Sequence, residues 1–372
     1  MIRWRRRPND LSATKNSQHE GIRSGFFAID PLRDPRWGPF LAAHPQSSAY
    51  HSAKWLLALQ QTYGYTPIAF TTSPPREALQ NAIVFCDVET WLTRRRLVSL
   101  PFSDHCAILF DDHEDLNAIL SKLEAKSLRK QLEYVEIRPT EALNGTASYA
   151  MDGYCGHRLD LDPDLDTLFR SFHRSSTQRK IRRAEREGLE YQVGRSPYLL
   201  NCFYDLLVIT RRRHGTPPQP KRWFQSLVDS FGNDLDISLA LQGDRPIAAI
   251  LTLRYKDTLL FKYGSSDNRF HNLGGVHLLF WKSIVGAKEN GLRTFDLGRS
   301  AWSNGGLITF KDRWGACRTS LNYFRFPSSK QAVDFNLLAN SNWKERVAKA
   351  VFSRLPAPIL RIAGEIIYRH IG

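Results

Sequence analysis

Few features here belong to secreted, metal-binding or membrane-spanning chains. The five cysteines (Cys86, Cys106, Cys155, Cys202, Cys317) are odd in number and scattered, with no CxxC and no Cys/His ligand spacing. That excludes a disulfide framework and a zinc centre and points to a reducing compartment. No apolar run reaches the roughly 18 residues a membrane helix needs, IAAILTL (247–253) being typical of the longest. The opening MIRWRRRPND has the charge of an export signal without the apolar stretch that follows one, so secretion is not expected. Acidic residues are also short: 37 Asp and Glu face 52 Lys and Arg, a net charge of +15. Such a field attracts phosphates, acidic lipid surfaces or nucleic acid without choosing among them.

Apolar residues, by contrast, are plentiful. They make up 42% of the chain and aromatics 12%, which excludes a mostly disordered protein. A length of 372 residues suggests two packed units rather than one. Residues 1–22, polar and aperiodic, read as a flexible basic arm. A first α/β unit over 23–150 has a helix from Ala49 to Tyr63, where Trp55, Leu56, Leu59 and Tyr63 fall at helical spacing before Gly64. Strands at 65–70, 82–88, 95–102 and 132–138 and a helix over 113–130 complete it. The weakly apolar 140–154 marks the junction.

The second unit, 151–328, begins with a strand at 156–162. A helix follows Asp162, and another starts at the capping box Ser175 to Gln178 and ends at Gly188. Helices over 197–214 and 221–231 precede a hairpin (235–241 and 246–255), a third strand at 258–266, a helix after Gly274–Gly275, and strands at 293–298 and 317–326. Residues 329–372 read as a linker and an amphipathic tail helix, with Ile359, Ile362 and Ile366 on one face. Both halves repeat a loose order of helix, strands, helix and strand without residue-level similarity.

Three segments carry chemistry. DNRFHNLGG (267–275) leads into a helix, and free N–H groups at a helix start suit pyrophosphate or a carboxylate. Gly274 and Gly275 allow close approach, and Asn268 and Arg269 add donors, so these four are the candidate cofactor-binding residues. RKIRRAEREG (179–188) concentrates arginines against the dipole of its own helix, which makes Arg182 and Arg183 candidates for anionic substrate groups. FDLGRSAWSNGGLITFKDRWG (295–315) delivers Asp296, Arg299 and Ser300 from a strand end into a glycine-bearing loop, followed by Lys311.

The last segment resembles a known family. FDLGRS followed by LITFKDRWGA is similar to the FDFGRS and FKxxWGA signature of FemAB-like proteins of the GNAT superfamily, the group with BioF2-like acetyltransferase domains. RKIRRAEREGLEY resembles that group's RxxIRKAEKxG segment, and HPQSSAYHSAKW (44–55) with RRLVSLPFSDH (95–105) its HPxAxxYHxxxW and LVSLPF elements. The match runs from about residue 30 to 327. The ending LPAPILRIAGEIIYRHIG is similar to members associated with exosortase and exopolysaccharide systems.

The resemblance implies two tandem GNAT-like domains, each a mixed, mainly antiparallel sheet flanked by helices. It further implies transfer of an acyl or aminoacyl group to an amine on a cell-envelope or exopolysaccharide precursor. Peptidoglycan-bridge enzymes of the Fem type commonly carry a long helical arm in the second domain. Residues 197–231 hold only short helices, so an acyl-CoA thioester is the expected donor, with aminoacyl-tRNA as the alternative and no metal.

Lys311 then stabilises the reacting carbonyl; Asp296, Asp104 and His51 are the candidate bases in that order. Arg299, Ser300, Arg182, Arg183, Lys262 and Tyr263 contact an anionic small molecule or a lipid- or nucleotide-linked glycan. A single cleft is expected, in which 295–315 faces the helix starting near Gly274. Two readings compete with this: a non-catalytic RNA- or polyanion-binding protein, and an enzyme whose first half is only an acceptor platform. The expected location is cytoplasmic, with peripheral contact at the inner membrane face through the tail helix.

Overall fold

One twelve-stranded sheet runs through the whole molecule in the order β1-β2-β3-β4-β5-β12-β6-β11-β10-β9-β8-β7. The computed structural model describes residues 26–110, 113–129, 132–141, 149–326 and 343–371. The basic arm (1–22) and the linker up to residue 342 lie outside the described residues.

The first half contributes β1 (Phe27–Ile29), α1 (Trp37–Ala43), α2 (Ala53–Tyr63), β2 (Thr66–Thr71), β3 (Ile83–Val88), β4 (Arg96–Val98), α3 (His113–Leu128) and β5 (Val135–Ile137). The second contributes β6 (Tyr149–Asp160), α4 (Leu165–Ser171), α5 (Arg179–Arg186), β7 (Glu190–Gly194), α6 (Pro197–Arg213), α7 (Lys221–Phe231), β8 (Leu235–Gln242), β9 (Arg245–Tyr255), β10 (Thr258–Ser266), α8 (Gly275–Glu289), β11 (Thr294–Ala301), α9 (Gly305–Asp312) and β12 (Cys317–Phe326). Helices α10 (Trp343–Arg354) and α11 (Ala357–Ile371) follow.

All neighbouring strands are antiparallel except β4 with β5 and β10 with β11, one parallel pair in each half. The expected mixed, mainly antiparallel architecture is what is found. β12 joins the halves by pairing with β5 on one edge and β6 on the other. The core is shared too. α2 of the first half packs on α7 of the second, with the Trp55 and Trp223 rings edge to face at 5.2 Å, in one cluster that also holds Phe203, Phe224 and Leu251.

Several boundaries differ from the sequence reading. The helix expected from Ala49 is interrupted: a 3-10 turn at Ala49–His51 precedes Ser52, whose hydroxyl accepts from Trp55 N and starts α2. The strand expected over 95–102 shortens to β4, because the chain turns after Val98 and brings Asp104 to Tyr50 and Lys262. A π-helical turn, Arg174–Gln178, runs straight into α5 where a capped start was expected. β6 begins at Tyr149, inside the stretch read as a junction, since its partners β11 and β12 supply the ladder its weak apolar pattern does not advertise. α10 was not expected at all.

β10 and β11 pair only over Thr258–Leu260 and Thr294–Asp296. Beyond this the register ends, and both strands carry irregularities, β10 at Phe261–Tyr263 and β11 at Asp296–Arg299. A bulge bends a strand and re-aims its side chains. Here it turns the FDLGRS segment toward the first half.

Candidate active site

The bend in β11 is built around Gly298. Its φ is 70°, a conformation disfavoured for residues with a Cβ, and an added Cβ would stand 2.9 Å from Asp104 Oδ2. Behind it lies Lys311, the last basic residue of α9. Its side chain is almost completely buried, and Nζ donates to the carbonyls of Gly298 at 2.8 Å and Arg299 at 2.9 Å. Burial lowers its pKa to about 8, against the pull of Asp104 and Asp296, which favour the cation. An ammonium has three protons, and two are committed to these carbonyls.

Asp104 is the hub on the first-half side. Its Oδ2 accepts from Tyr50 Oη at 2.7 Å and from Lys262 Nζ at 3.1 Å, and Arg299 Nε stands 3.6 Å from Oδ1. Burial alone would raise its pKa, but Lys262 and Arg299 overcome this and hold it below the usual value. The backbone carbonyl of Asp104 accepts from Tyr323 Oη at 2.7 Å, and Tyr323 in turn accepts from Arg299 at 2.7 Å. The Arg299 guanidinium lies 4.5 Å from the centre of the Tyr154 ring. Arg299, Lys262 and Asp104 thus tie the two halves together. Tyr263 is buried and accepts from Trp223 Nε1 at 2.8 Å.

Asp296 forms a second buried pair. Its Oδ2 is 3.2 Å from His105 Nε2 and 3.4 Å from Arg158 Nε, while Oδ1 accepts from Gly298 N at 2.8 Å. Burial opposes ionisation, yet His105, Arg158 and the Gly298 amide bring its pKa down to about 2. His105 Nδ1 is buried with no hydrogen-bond partner among the described residues, and neither has the Ser300 hydroxyl. His105, Asp296 and Gly298 line a cleft of about 490 Å³ between the halves, together with Tyr50, Arg158 and Lys256.

The single cleft anticipated from the sequence is therefore two cavities. The segment 295–315 does meet α8, through ring contacts of His277 with Phe310 at 5.3 Å and Phe280 with Phe295 at 5.6 Å. Only a small cavity of about 190 Å³ remains there, lined by Gly274, Gly275, Lys180 and Phe310. Gly274, with φ 83°, is packed so closely that a Cβ would meet Lys180 O at 2.3 Å, and Gly275 abuts Ala248 and Ala240. Arg269 is paired with Asp267 at 2.5 Å, and Asn268 opens a 3-10 turn.

His51 is fully buried, with Nε2 on Ala107 O at 2.9 Å and Nδ1 on Ser48, and burial lowers its pKa to about 4. Both nitrogens are engaged in shaping the turn ahead of α2. Arg182 lies over the Phe169 ring at 5.2 Å and joins Arg174, Arg179 and Arg186 along an open groove of about 550 Å³. Arg183 faces away from that set toward Glu187, 3.3 Å distant. The groove adjoins α9, because His173 N and Thr177 Oγ1 both donate to Arg313 O.

Sequence reasoning passed over His105, Arg158, Tyr50 and Tyr323. His105 had a signal, since it directly follows Asp104 in a segment already singled out. Arg158 and Tyr323 had none, for their role depends on strand register.

Residues 171–311 match the acetyltransferase (GNAT) domain family. The UDP-N-acetylmuramoylpentapeptide-lysine N(6)-alanyltransferase of Weissella viridescens is 27% identical over 159 residues, 41% of this chain and 46% of that protein, so the match spans less than half of the relative's length. Among solved structures, FemX superposes with a TM-score of 0.61 at 15% identity, covering 81% of this chain and 97% of FemX. A tandem GNAT protein from the clavulanic acid biosynthesis pathway gives 0.50 at 11% identity, covering 83% and 99%. Among the described residues no group of three or more His, Cys, Asp or Glu is placed to hold a metal, and no helix is long and apolar enough to cross a membrane.

Proposed function

We infer that this chain is a FemAB-like acyltransferase of the GNAT superfamily that moves an aminoacyl group from a tRNA ester to an amine of an anionic envelope precursor. The observation that carries the reading is the pairing of His105 and Asp296 in the wall of the 490 Å³ cleft, with the cation of Lys311 directly behind Gly298.

In the step we envisage, the amine nitrogen attacks the ester carbonyl carbon, the C–N bond forms, and the C–O bond to the ribose breaks. The nitrogen's proton passes to His105, and the ribose oxygen leaves to be protonated by solvent. Asp296, with a pKa of about 2, is too weak a base to take the proton itself, and serves to orient His105. Lys311 does not line the cleft; its ammonium holds the Gly298 and Arg299 carbonyls, fixing the β11 bulge, and adds positive charge to the field behind the reacting carbonyl. Arg158 and Lys256 at the cleft supply partners for phosphate or carboxylate on the acceptor.

The donor assignment departs from the acyl-CoA thioester expected from the sequence. Support comes from the alanyltransferase relative and from the arginine groove leading to α9, a surface suited to a polyanion. Against a thioester stands the size of the cavity at the start of α8. At 190 Å³ it is below the roughly 300–1,000 Å³ usual for ligand sites.

The test offers labelled alanyl-tRNA and labelled acetyl-CoA separately, with UDP-N-acetylmuramoylpentapeptide and simple polyamines as acceptors. Label should pass from the tRNA and not from the thioester, with His105→Ala reducing transfer by at least about 10². Transfer from acetyl-CoA alone would reassign the donor, and tight RNA retention without transfer to any amine would make the protein a binder rather than an enzyme.

A further inference from the structure

The two C-terminal helices are docked on one side and bare on the other. α11 is held firmly: Leu360 is fully buried, and Gly364 lies so near Pro218 that a Cβ would meet its carbonyl oxygen at 1.9 Å. Arg361 pairs with Asp205 at 2.7 Å, Tyr65 Oη donates to the carbonyls of Tyr368 and Arg369, and Arg96 donates to that of His370. The rotation of the helix is fixed by these contacts. Its outward face presents Ile359, Ile362 and Ile366, which are 50%, 57% and 58% exposed.

Two further segments carry exposed apolar side chains, α10 next to it in the chain and the turn that touches its C-terminal end. Val347 and Val351, one turn apart on α10, are about half exposed. Trp91 and Leu92, between β3 and β4, are 81% and 63% exposed, and the Trp91 ring stands edge-on to His370 at 5.2 Å, one turn beyond Ile366. Seven of the twelve large apolar side chains exposed among the described residues therefore lie on the two C-terminal helices and the Trp91–Leu92 turn. Scattered exposed apolar residues are normal on a soluble surface, but a gathered set marks an interaction face.

Charge selects the occupant. Between Lys344 and Arg369 the sequence has six Lys or Arg against two Glu, and Arg346, Lys349, Arg354 and Arg369 are exposed, as is Arg94 beside Trp91. A second copy would bring the same excess of positive charge against itself. An anionic lipid surface takes both components: the isoleucines and Trp91 enter the acyl boundary while the arginines meet headgroup phosphates. At 15 residues α11 is too short to span a bilayer and can only lie along one.

We propose that α10, α11 and the Trp91–Leu92 turn form a surface that seats the protein peripherally on an anionic membrane. The proposal is independent of the transfer chemistry, and its test is separate. The full chain is sedimented with vesicles of phosphatidylcholine alone or mixed with phosphatidylglycerol. The wild type should pellet only with the mixed vesicles and be released by high salt. An Ile362→Glu/Ile366→Glu variant should lose partitioning by about tenfold or more, with its circular dichroism and its transfer to soluble acceptors unchanged. A second variant, Arg354→Gln/Arg369→Gln, should lose the preference for anionic vesicles.

Three outcomes would overturn the idea. The wild type stays in the supernatant with both vesicles, or the isoleucine variant binds as well as wild type, or ultracentrifugation shows a wild-type dimer that the isoleucine variant disperses, which would give the face to a second copy.

Discussion

Lys311 is held where its charge is costly, and that makes its protonation measurable in two ways. Burial brings its pKa from 10.5 to about 8. Above about pH 8 the folded chain has lost a proton that the unfolded chain keeps until about 10.5, so in this window the unfolded state binds more protons and the fold gains stability as pH rises. Catalysis by the cation moves the opposite way. We predict that kcat falls through about pH 8 while the denaturation midpoint rises over the same range, and that in Lys311→Ala both trends flatten and turnover drops by at least about 10². Parallel pH–rate and pH–denaturation series would check this, and two trends of the same sign would remove Lys311 from the reaction.

Among the elements, β11 matters most, because its bulge places Asp296, Gly298 and Arg299 in one turn of chain. Gly298→Ala forces a Cβ into the Asp104 carboxylate in a backbone conformation that alanine resists. We expect a stability loss of about 1–3 kcal/mol with a fall in kcat larger than any change in KM, read by urea denaturation and steady-state kinetics. A variant with wild-type kcat would detach this bulge from the chemistry.

The importance of that segment was legible in the sequence, since a strand ending in DLGRS and followed by an amphipathic FKD turn already gathers polar groups at a strand terminus. The isolated glycine and arginine were legible as types but not as geometry. Arg299, expected at the substrate, is engaged by Tyr323 and Asp104, and the glycines ahead of α8 fit close packing against Lys180 and Ala248. A glycine that admits a ligand and one that admits a neighbouring backbone look the same in sequence. The interruption at Ser52 and the short β4 went unread for a related reason, as local apolar spacing continues through both.

For the whole molecule, the two halves are distinct in chain order but not in packing. Apolar runs and helical spacing identified nearly every strand and helix of the second half, the central strands β8 and β9 being buried along almost their whole length. They carried no information on which strands meet across the halves, and so nothing in the sequence showed that Tyr50, His105, Arg158 and Asp296 share one cleft. The shared core has a thermodynamic consequence. Trp55 from α2 is fully buried against Trp223 from α7, Tyr50 stacks edge-on to Trp55 at 4.9 Å, and the same Tyr50 donates to Asp104. Removing the indole in Trp55→Ala should cost about 3–5 kcal/mol, and because the cluster contains side chains from both halves, neither half should melt alone. Circular dichroism and intrinsic fluorescence are expected to report coincident transitions in wild type and variant, both shifted together by the substitution. Two separated transitions, with Trp55→Ala moving only one, would mean that the continuous sheet does not couple the halves and that the cleft between them opens without unfolding either.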